Sequence, residues 1–208
     1  AADGIRSLVR DQAGIEADHI DYDQVAITAV MTTQRFHDYV AYERFTTEGP
    51  IAILPLTDGR CGMVWTRKPA EVERMLALSD DEFLREFQAA FGFRLGRFLR
   101  IGQRASYNLM LSRADRHISQ RLAVVGNAAQ GLHPIAGQGF NLGLRDAMSL
   151  AEVIADRRVA GTMDPGDASL LQDYAEWRET DRRRIVAFTD GLVRLFATPL
   201  GVLRSLRS

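Results

Sequence analysis

The stretch Arg121 to Asp146, RLAVVGNAAQGLHPIAGQGFNLGLRD, constrains the fold more than any other part of the chain. An apolar run, a glycine-rich turn and a helical pattern follow one another there without a break. Leu122, Ala123, Val124 and Val125, closed by Gly126, read as a buried strand of the kind found inside α/β sheets. Pro134 fixes one backbone angle, and Gly137, Gly139 and Gly143 keep side chains away from a backbone that a flat ligand can approach. Phe140, Leu144, Ala147, Ala151 and Ile154 then recur at helical spacing, so a helix begins near the glycines.

The start of that helix is suited to negative charge. The N–H groups of a first turn have no partner within the helix, and with the helix dipole they favour an anion or an electron-rich carbonyl edge. Asn141 falls in that turn. A lone GxG is more often a plain strand-to-helix connection, with glycines for packing only, and on spacing alone both readings stay open.

The full pattern is longer. Gly126-Asn127-Ala128-Ala129, Pro134, Gly137-Gln138-Gly139, Asn141, Gly143 and Asp146 resemble the GDAAHxxxPxxGQGxNxGxxD signature of FAD-dependent aromatic hydroxylases. The segment is most similar to the ubiquinone-biosynthesis branch of that family, and the likeness extends through FTTEGPIAILPLTDGRCGMVW, FGFRLG and the Arg-rich helical pattern downstream. Near the start, Asp3-Gly4-Ile5-Arg6-Ser7-Leu8-Val9-Arg10 is similar to the DGxxSxxR motif of the same enzymes, with Ala1 where Gly is usual. Alone, such a motif is more often an ordinary turn before a helix.

The resemblance implies FAD as cofactor, with Gly126, Asn127, Pro134, Gly137, Gln138, Gly139, Phe140 and Asn141 around the flavin and Asp3, Gly4 and Arg10 near the pyrophosphate. Asn127 stands where most relatives have an Asp that binds the ribityl chain, which keeps an acceptor but drops the charge. Gln130 stands where many have His. Main-chain N–H groups around Phe140 and Asn141 would face the pyrimidine edge and stabilise the charge of reduced flavin. The reaction implied is hydroxylation of a polyprenyl-phenol intermediate through a flavin C4a-hydroperoxide, with NAD(P)H as reductant and O2 as co-substrate.

Other candidates carry less. His133, just before Pro134, is a candidate catalytic residue, but bracing the turn backbone is the commoner role for such a histidine. Trp65, Phe93, Tyr107 and Phe140 are candidates to line an aromatic pocket, against the commoner fate of aromatic residues in a core. Arg182, Arg183 and Arg184 suggest a phosphate or membrane contact, but Glu179 four residues before Arg183 favours a solvated face.

No strand followed by GxGxxG occurs, the part that would hold the adenosine half of FAD. With an opening that lacks Met and a basic end, GVLRSLRS, the chain reads as a piece of a longer hydroxylase, inactive by itself. A non-catalytic interaction module, a sister hydroxylase acting at another ring position, self-association and membership of a ubiquinone-biosynthesis complex are the further expectations. The 208 residues are 46% hydrophobic, enough for a sizeable core, and a net charge of −1 gives no case for nucleic acid. Cys61 is the only cysteine, which suits a reducing compartment. A cytoplasmic protein with no transmembrane segment, peripheral to the membrane through its lipid-like substrate, is expected. No spacing of His and Cys suggests a metal site.

Val25–Thr32, Ile51–Leu56, Cys61–Arg67, Arg97–Ile101 and Ala105–Met110 read as strands, with Asp58-Gly59 as a hairpin turn. Glu71–Leu78 and Asp80–Phe91 read as helices, the second capped by Ser79. Leu171, Tyr174, Trp177, Asp181, Ile185, Phe188, Leu192 and Leu195 mark a long C-terminal helix. The expected fold class is α+β: an antiparallel sheet covered by helices, the C-terminal part of an α/β FAD domain, and that long helix. The expected division is 1–12, a remnant of the FAD domain; 13–112, a substrate-binding domain; 113–158, the strand-turn-helix of the FAD domain; and 159–208, a helical segment.

Overall fold

The computed structural model describes residues 1–46, 48–161 and 164–197, so the basic end of the chain lies outside the described residues. A short helix α1 (Leu8–Gln12) leads into the long strand β1 (Ala17–Thr33), followed by β2 (Tyr42–Thr46), β3 (Gly49–Pro55) and β4 (Arg60–Arg67). Helices α2 (Pro69–Ala77) and α3 (Asp80–Phe91) precede β5 (Phe98–Ile101) and β6 (Ala105–Ala114). The short strands β7 (Ile118–Ser119), β8 (Leu122–Ala123) and β9 (Gln130–Gly131) come next, then α4 (Gln138–Val159) and α5 (Ala168–Ala197). The fold is the expected mixture of an antiparallel sheet with helices. The described residues form two compact units, one of residues 1–22 with 110–193, the other centred on residues 23–109, and the strands β1 and β6 have residues in both.

In the unit of residues 23–109 the order β2-β3-β4-β1 is antiparallel throughout, and β5 also pairs with β1. Alternation puts Ile27, Ala29 and Met31 on one face of β1, and the register sets Ile27 opposite Trp65 and Met31 opposite Cys61. Ile51, Ile53 and Met63 complete that face, and Met75 of α2 with Phe83, Phe87 and Phe91 of α3 cover it. Trp65 is the centre of this core, edge-on to Phe83 and Phe87 at 5.6 and 5.2 Å, so the commoner fate of an aromatic is the one it has. The turn between β3 and β4 needs left-handed backbone at both Asp58 (φ 59°) and Gly59 (φ 67°), which is why that dipeptide was a strong signal. The Ser79 hydroxyl accepts from Glu82 N–H while the Glu82 carboxylate accepts from Ser79 N–H, the reciprocal cap of α3.

The unit of residues 1–22 and 110–193 departs further from expectation. Leu122–Val125 was expected as a buried strand of an α/β sheet; only Leu122 and Ala123 are strand, paired antiparallel with β7. Val124 N–H then donates to His117 O at 2.8 Å and Val125 N–H to Ala1 O at 2.9 Å, so the run leaves its ladder after two residues and is held by the chain's own first residue. The face that α5 buries starts as expected at Leu171 and Tyr174 and then turns away from the expected stripe. Leu171, Tyr174, Arg178, Arg182, Val186, Thr189 and Val193 are buried, whereas Trp177 and Phe188 are half-exposed. Val153 of α4 packs with Leu170, Leu171 and Tyr174. Among the described residues no helix is long and apolar enough to cross a membrane.

Candidate functional site

All the residues expected to hold cofactor lie in the unit of residues 1–22 and 110–193, and three contacts bring their segments together. First, the Arg10 guanidinium is 4% exposed and its Nη1 donates to Ala128 O at 3.1 Å and to Ile5 O at 3.2 Å. Its Nε and Nη2 donate to Asp11, so it is engaged in tying α1 to the 126–128 turn. Its place is therefore that of a brace between the two motifs. Asp3 accepts from the Ser7 hydroxyl at 2.5 Å and from Val9 N–H at 3.2 Å, and these bonds hold its pKa below the usual carboxylate value. Gly4 (φ 92°) has open space where a side chain would stand.

Second, the turn and helix α4 touch backbone to backbone. A Cβ at Gly143 would lie 3.1 Å from the Gly126 Cα, closer than a side chain there allows without a shift, so the two glycines set this approach. Third, the buried carboxylate of Asp146, one turn further along α4, accepts from Gly126 N–H at 3.2 Å and from Gln130 Nε2 at 2.7 Å. Asn127 between them is exposed, and its side chain makes no hydrogen bond among the described residues.

Helix α4 starts as the sequence suggested. Gly137 takes left-handed backbone (φ 59°), no side chain caps the helix, and its first turn holds no acidic residue. A Cβ at Gly137 or Gly139 would meet nothing within 4 Å. The start of α4 is thus open in space and positive in potential, which fits an electron-rich ring edge. Phe140 is 79% exposed and Asn141 is exposed, whereas Phe93 and Tyr107 are exposed in the other unit. Pro134 opens the short 3-10 turn that leads into Gly137, whose N–H donates to Pro134 O at 2.9 Å.

His133 is buried, and its Nδ1 accepts from Ile135 N–H at 3.1 Å, with the Tyr22 ring edge-on at 5.4 Å. Burial pushes its pKa down to about 4, so the ring is neutral at pH 7 and braces the Pro134 turn. This is the turn-bracing arrangement weighed for it in the sequence. Among the described residues no group of His, Cys, Asp and Glu is placed to hold a metal ion.

The sequence reading passed over a buried polar cluster behind the turn. Oδ1 of Asp146 accepts from Arg178 Nε at 3.0 Å and from Arg182 Nε at 3.1 Å, and all three side chains are at most 5% exposed. Arg182 Nη2 also donates to the Tyr174 hydroxyl at 2.5 Å, and burial raises that phenol to about 12. Asp181 links Arg178 (2.7 Å) to Arg145 of α4 (2.9 Å). The solvated face expected for Arg182–Arg184 holds for Arg183, which pairs with Glu179, but Arg182 is turned inward. The signal was present: Arg178 and Arg182 follow Tyr174 and precede Val186 at a spacing of four, on the apolar stripe itself.

Residues 1–189 match the family described as "FAD binding domain". The chain belongs to the FAD binding domain family. It is 44% identical over 200 residues to "Ubiquinone hydroxylase UbiL" of Rhodospirillum rubrum, covering 96% of this chain and 46% of that protein. It is 30% identical over 241 residues to "Ubiquinone biosynthesis monooxygenase COQ6, mitochondrial" of Homo sapiens, covering 98% of this chain and 51% of that protein. The chain spans about half the length of the curated relatives it matches. Among solved structures, p-nitrophenol 4-monooxygenase PnpA of Pseudomonas putida superposes with a TM-score of 0.73 at 20% identity, covering 100% of this chain and 52% of that one. HpxO of Klebsiella pneumoniae, complexed with FAD and uric acid, gives a TM-score of 0.73 at 18% identity, covering 99% and 53%. These two likenesses establish a shared fold.

Proposed function

We propose that the protein is a flavoprotein monooxygenase that hydroxylates a polyprenyl-phenol intermediate of ubiquinone biosynthesis, with NAD(P)H as reductant and O2 as co-substrate. The observation that carries this reading is the bare glycine start of α4, open in space and without a side-chain cap, fixed against the Gly126 turn. The identity to a ubiquinone hydroxylase and to a ubiquinone-biosynthesis monooxygenase supports the substrate class.

When bound, FAD supplies the redox chemistry, passing electrons from NAD(P)H to dioxygen so that one oxygen atom enters the phenol ring and the other leaves as water. The residues of this chain bind and orient. N–H groups at the start of α4 would hold the electron-rich edge of the ring system, where their fixed dipoles would stabilise negative charge. Asn127 would offer an amide to the polar chain attached to that ring, and Arg10 and His133 hold the two flanking turns. Asp3 and Gly4 would lie toward the pyrophosphate, with open space at Gly4 for its approach. The 208 residues contain no GxGxxG, so the chain by itself is expected to hold FAD weakly and to turn nothing over. Its expected setting is the cytoplasmic side of a membrane, against which a lipid-like substrate is met.

The test is a titration with FAD followed by flavin fluorescence, first on the 208-residue chain and then on a protein of the relatives' length. The longer protein should bind FAD at micromolar concentration or tighter and consume O2 and NAD(P)H when given a prenylated phenol, with a hydroxylated product by mass spectrometry. Flavin binding without any hydroxylated phenol would remove the substrate assignment, and absence of flavin binding would remove the cofactor.

A further inference from the structure

The Asp146 carboxylate divides its two oxygens between two elements. Among the described residues Oδ2 accepts only from the turn, through Gly126 N–H and Gln130 Nε2, and Oδ1 accepts only from α5, through Arg178 Nε and Arg182 Nε. A carboxylate with no exposed surface, four donors and no freedom to rotate fixes the plane in which the turn must lie. Asn127, the exposed amide of that turn, directly follows the anchored Gly126.

We propose that Asp146, held from α5 by Arg178 and Arg182, is a positioning residue for the flavin-binding turn, setting the orientation of Gly126 N–H and so of the Asn127 side chain. The proposal rests on the FAD reading above for what the turn binds, and on hydrogen bonds within this chain for how the turn is held. Helix α5 would thereby act on the turn through Asp146. Asp146 is suited to the task because it accepts from donors on both sides. An Asn at 146 would keep its oxygen toward the two guanidinium groups and turn its NH2 toward Gly126 and Gln130, donor against donor. Gln130 can rotate its amide to answer, because its Oε1 has no partner among the described residues; the Gly126 N–H cannot.

The test uses Asp146→Asn, Gln130→Met and, as an exposed control on α5, Arg183→Ala, each in the protein as it binds FAD. Amide hydrogen exchange by NMR is measured without flavin, and FAD affinity and the visible flavin spectrum are measured with it. In Asp146→Asn the Gly126 amide should exchange at least tenfold faster while amides of residues 150–155 stay within about twofold of wild type. FAD affinity should fall about tenfold with a shifted flavin spectrum. Gln130→Met strands no charge and should give a two- to fivefold effect in the same direction, so it decides the matter if Asp146→Asn does not fold. Arg183→Ala should change neither.

Unchanged exchange at Gly126, or uniform acceleration along α4 and α5, would overturn the proposal, because a merely structural ion pair behaves in the second way. Faster exchange at Gly126 with wild-type affinity and spectrum would overturn it equally, since the turn would then be held without serving the flavin. If the wild-type protein binds no FAD, the cofactor reading fails, and the Gly126 amide still decides whether Asp146 holds the turn.

Discussion

At Gly139, stability and function pull in opposite directions, and this makes the residue a direct probe of the site. The position lies in the first turn of α4 with no strained backbone and no atom within 4 Å of where a Cβ would stand. Gly139→Ala should therefore stabilise the fold, by up to about 1 kcal/mol from helix propensity alone. The added methyl also stands where a ring edge would approach the N–H groups, so FAD affinity should drop tenfold or more. A chemical-denaturation midpoint that rises while flavin affinity falls is the expected pair of results. Equal flavin affinity in the two proteins would mean that the glycine serves the helix only. Gly143 behaves otherwise: its Cβ would press on the Gly126 backbone, so the same substitution there costs stability as well as binding. Sequence made both glycines conspicuous, but the distinction between a glycine that leaves room for a ligand and one that leaves room for a turn needed the distance to Gly126.

At the level of elements, the boundaries of α3 and the β3–β4 hairpin were legible because each is written in local chemistry. Ser79 and Glu82 cap one, and Asp58-Gly59 supplies two left-handed residues to the other. Ser79→Ala should cost about 1 kcal/mol, read from a urea midpoint, with no change in flavin binding. Beyond Tyr174 the buried face of α5 was not legible, because a periodic count that treats Trp177 and Phe188 as inward and arginine as outward misplaces them. The helix buries Arg178 and Arg182 because Asp146 compensates them, a partner that lies on another helix. That face has a second consequence at Thr189, which is buried with a hydroxyl that has no hydrogen-bond partner among the described residues. Replacing it by the isosteric Val removes an unsatisfied polar atom, and Thr189→Val should stabilise the fold by about 1 kcal/mol. A loss of stability instead would place a partner on that hydroxyl. The strand expected at Leu122–Val125 failed for a related reason. Four apolar residues in a row cannot report that the ladder stops after two and that the next N–H groups go to His117 and Ala1.

For the molecule as a whole, acid sensitivity should be set by histidines before carboxylates. Burial lowers both His133 and His117 from 6.5 to about 4, and for His117 the nearby Arg182 charge acts in the same direction while Asp146, Glu179 and Asp115 oppose it. In the unfolded chain each ring takes up its proton near pH 6.5, but in the folded chain only near pH 4, so the unfolded state binds more protons throughout that window. The stability contributed by keeping these rings neutral is full above pH 6.5 and is lost progressively as the pH falls toward 4. Below that both states are protonated and the contribution is flat. Each ring adds a slope of at most about 1.4 kcal/mol per pH unit. The carboxylates whose values are lowered, Asp3, Glu82, Glu86, Asp164, Asp167 and Glu179, keep their contribution above the ordinary values of 3.8 for Asp and 4.5 for Glu and begin to lose it only at the acid end of this window. His133→Asn keeps an acceptor for the Ile135 N–H and removes one of the two titrations. Urea midpoints taken at half-unit steps from about pH 7 to about pH 4 should therefore fall less steeply for the variant than for wild type. Above about pH 6.5 the two curves should run parallel. Parallel curves across the whole range would mean that His133 takes up its proton as readily folded as unfolded and that its ring does not brace the Pro134 turn as a neutral acceptor.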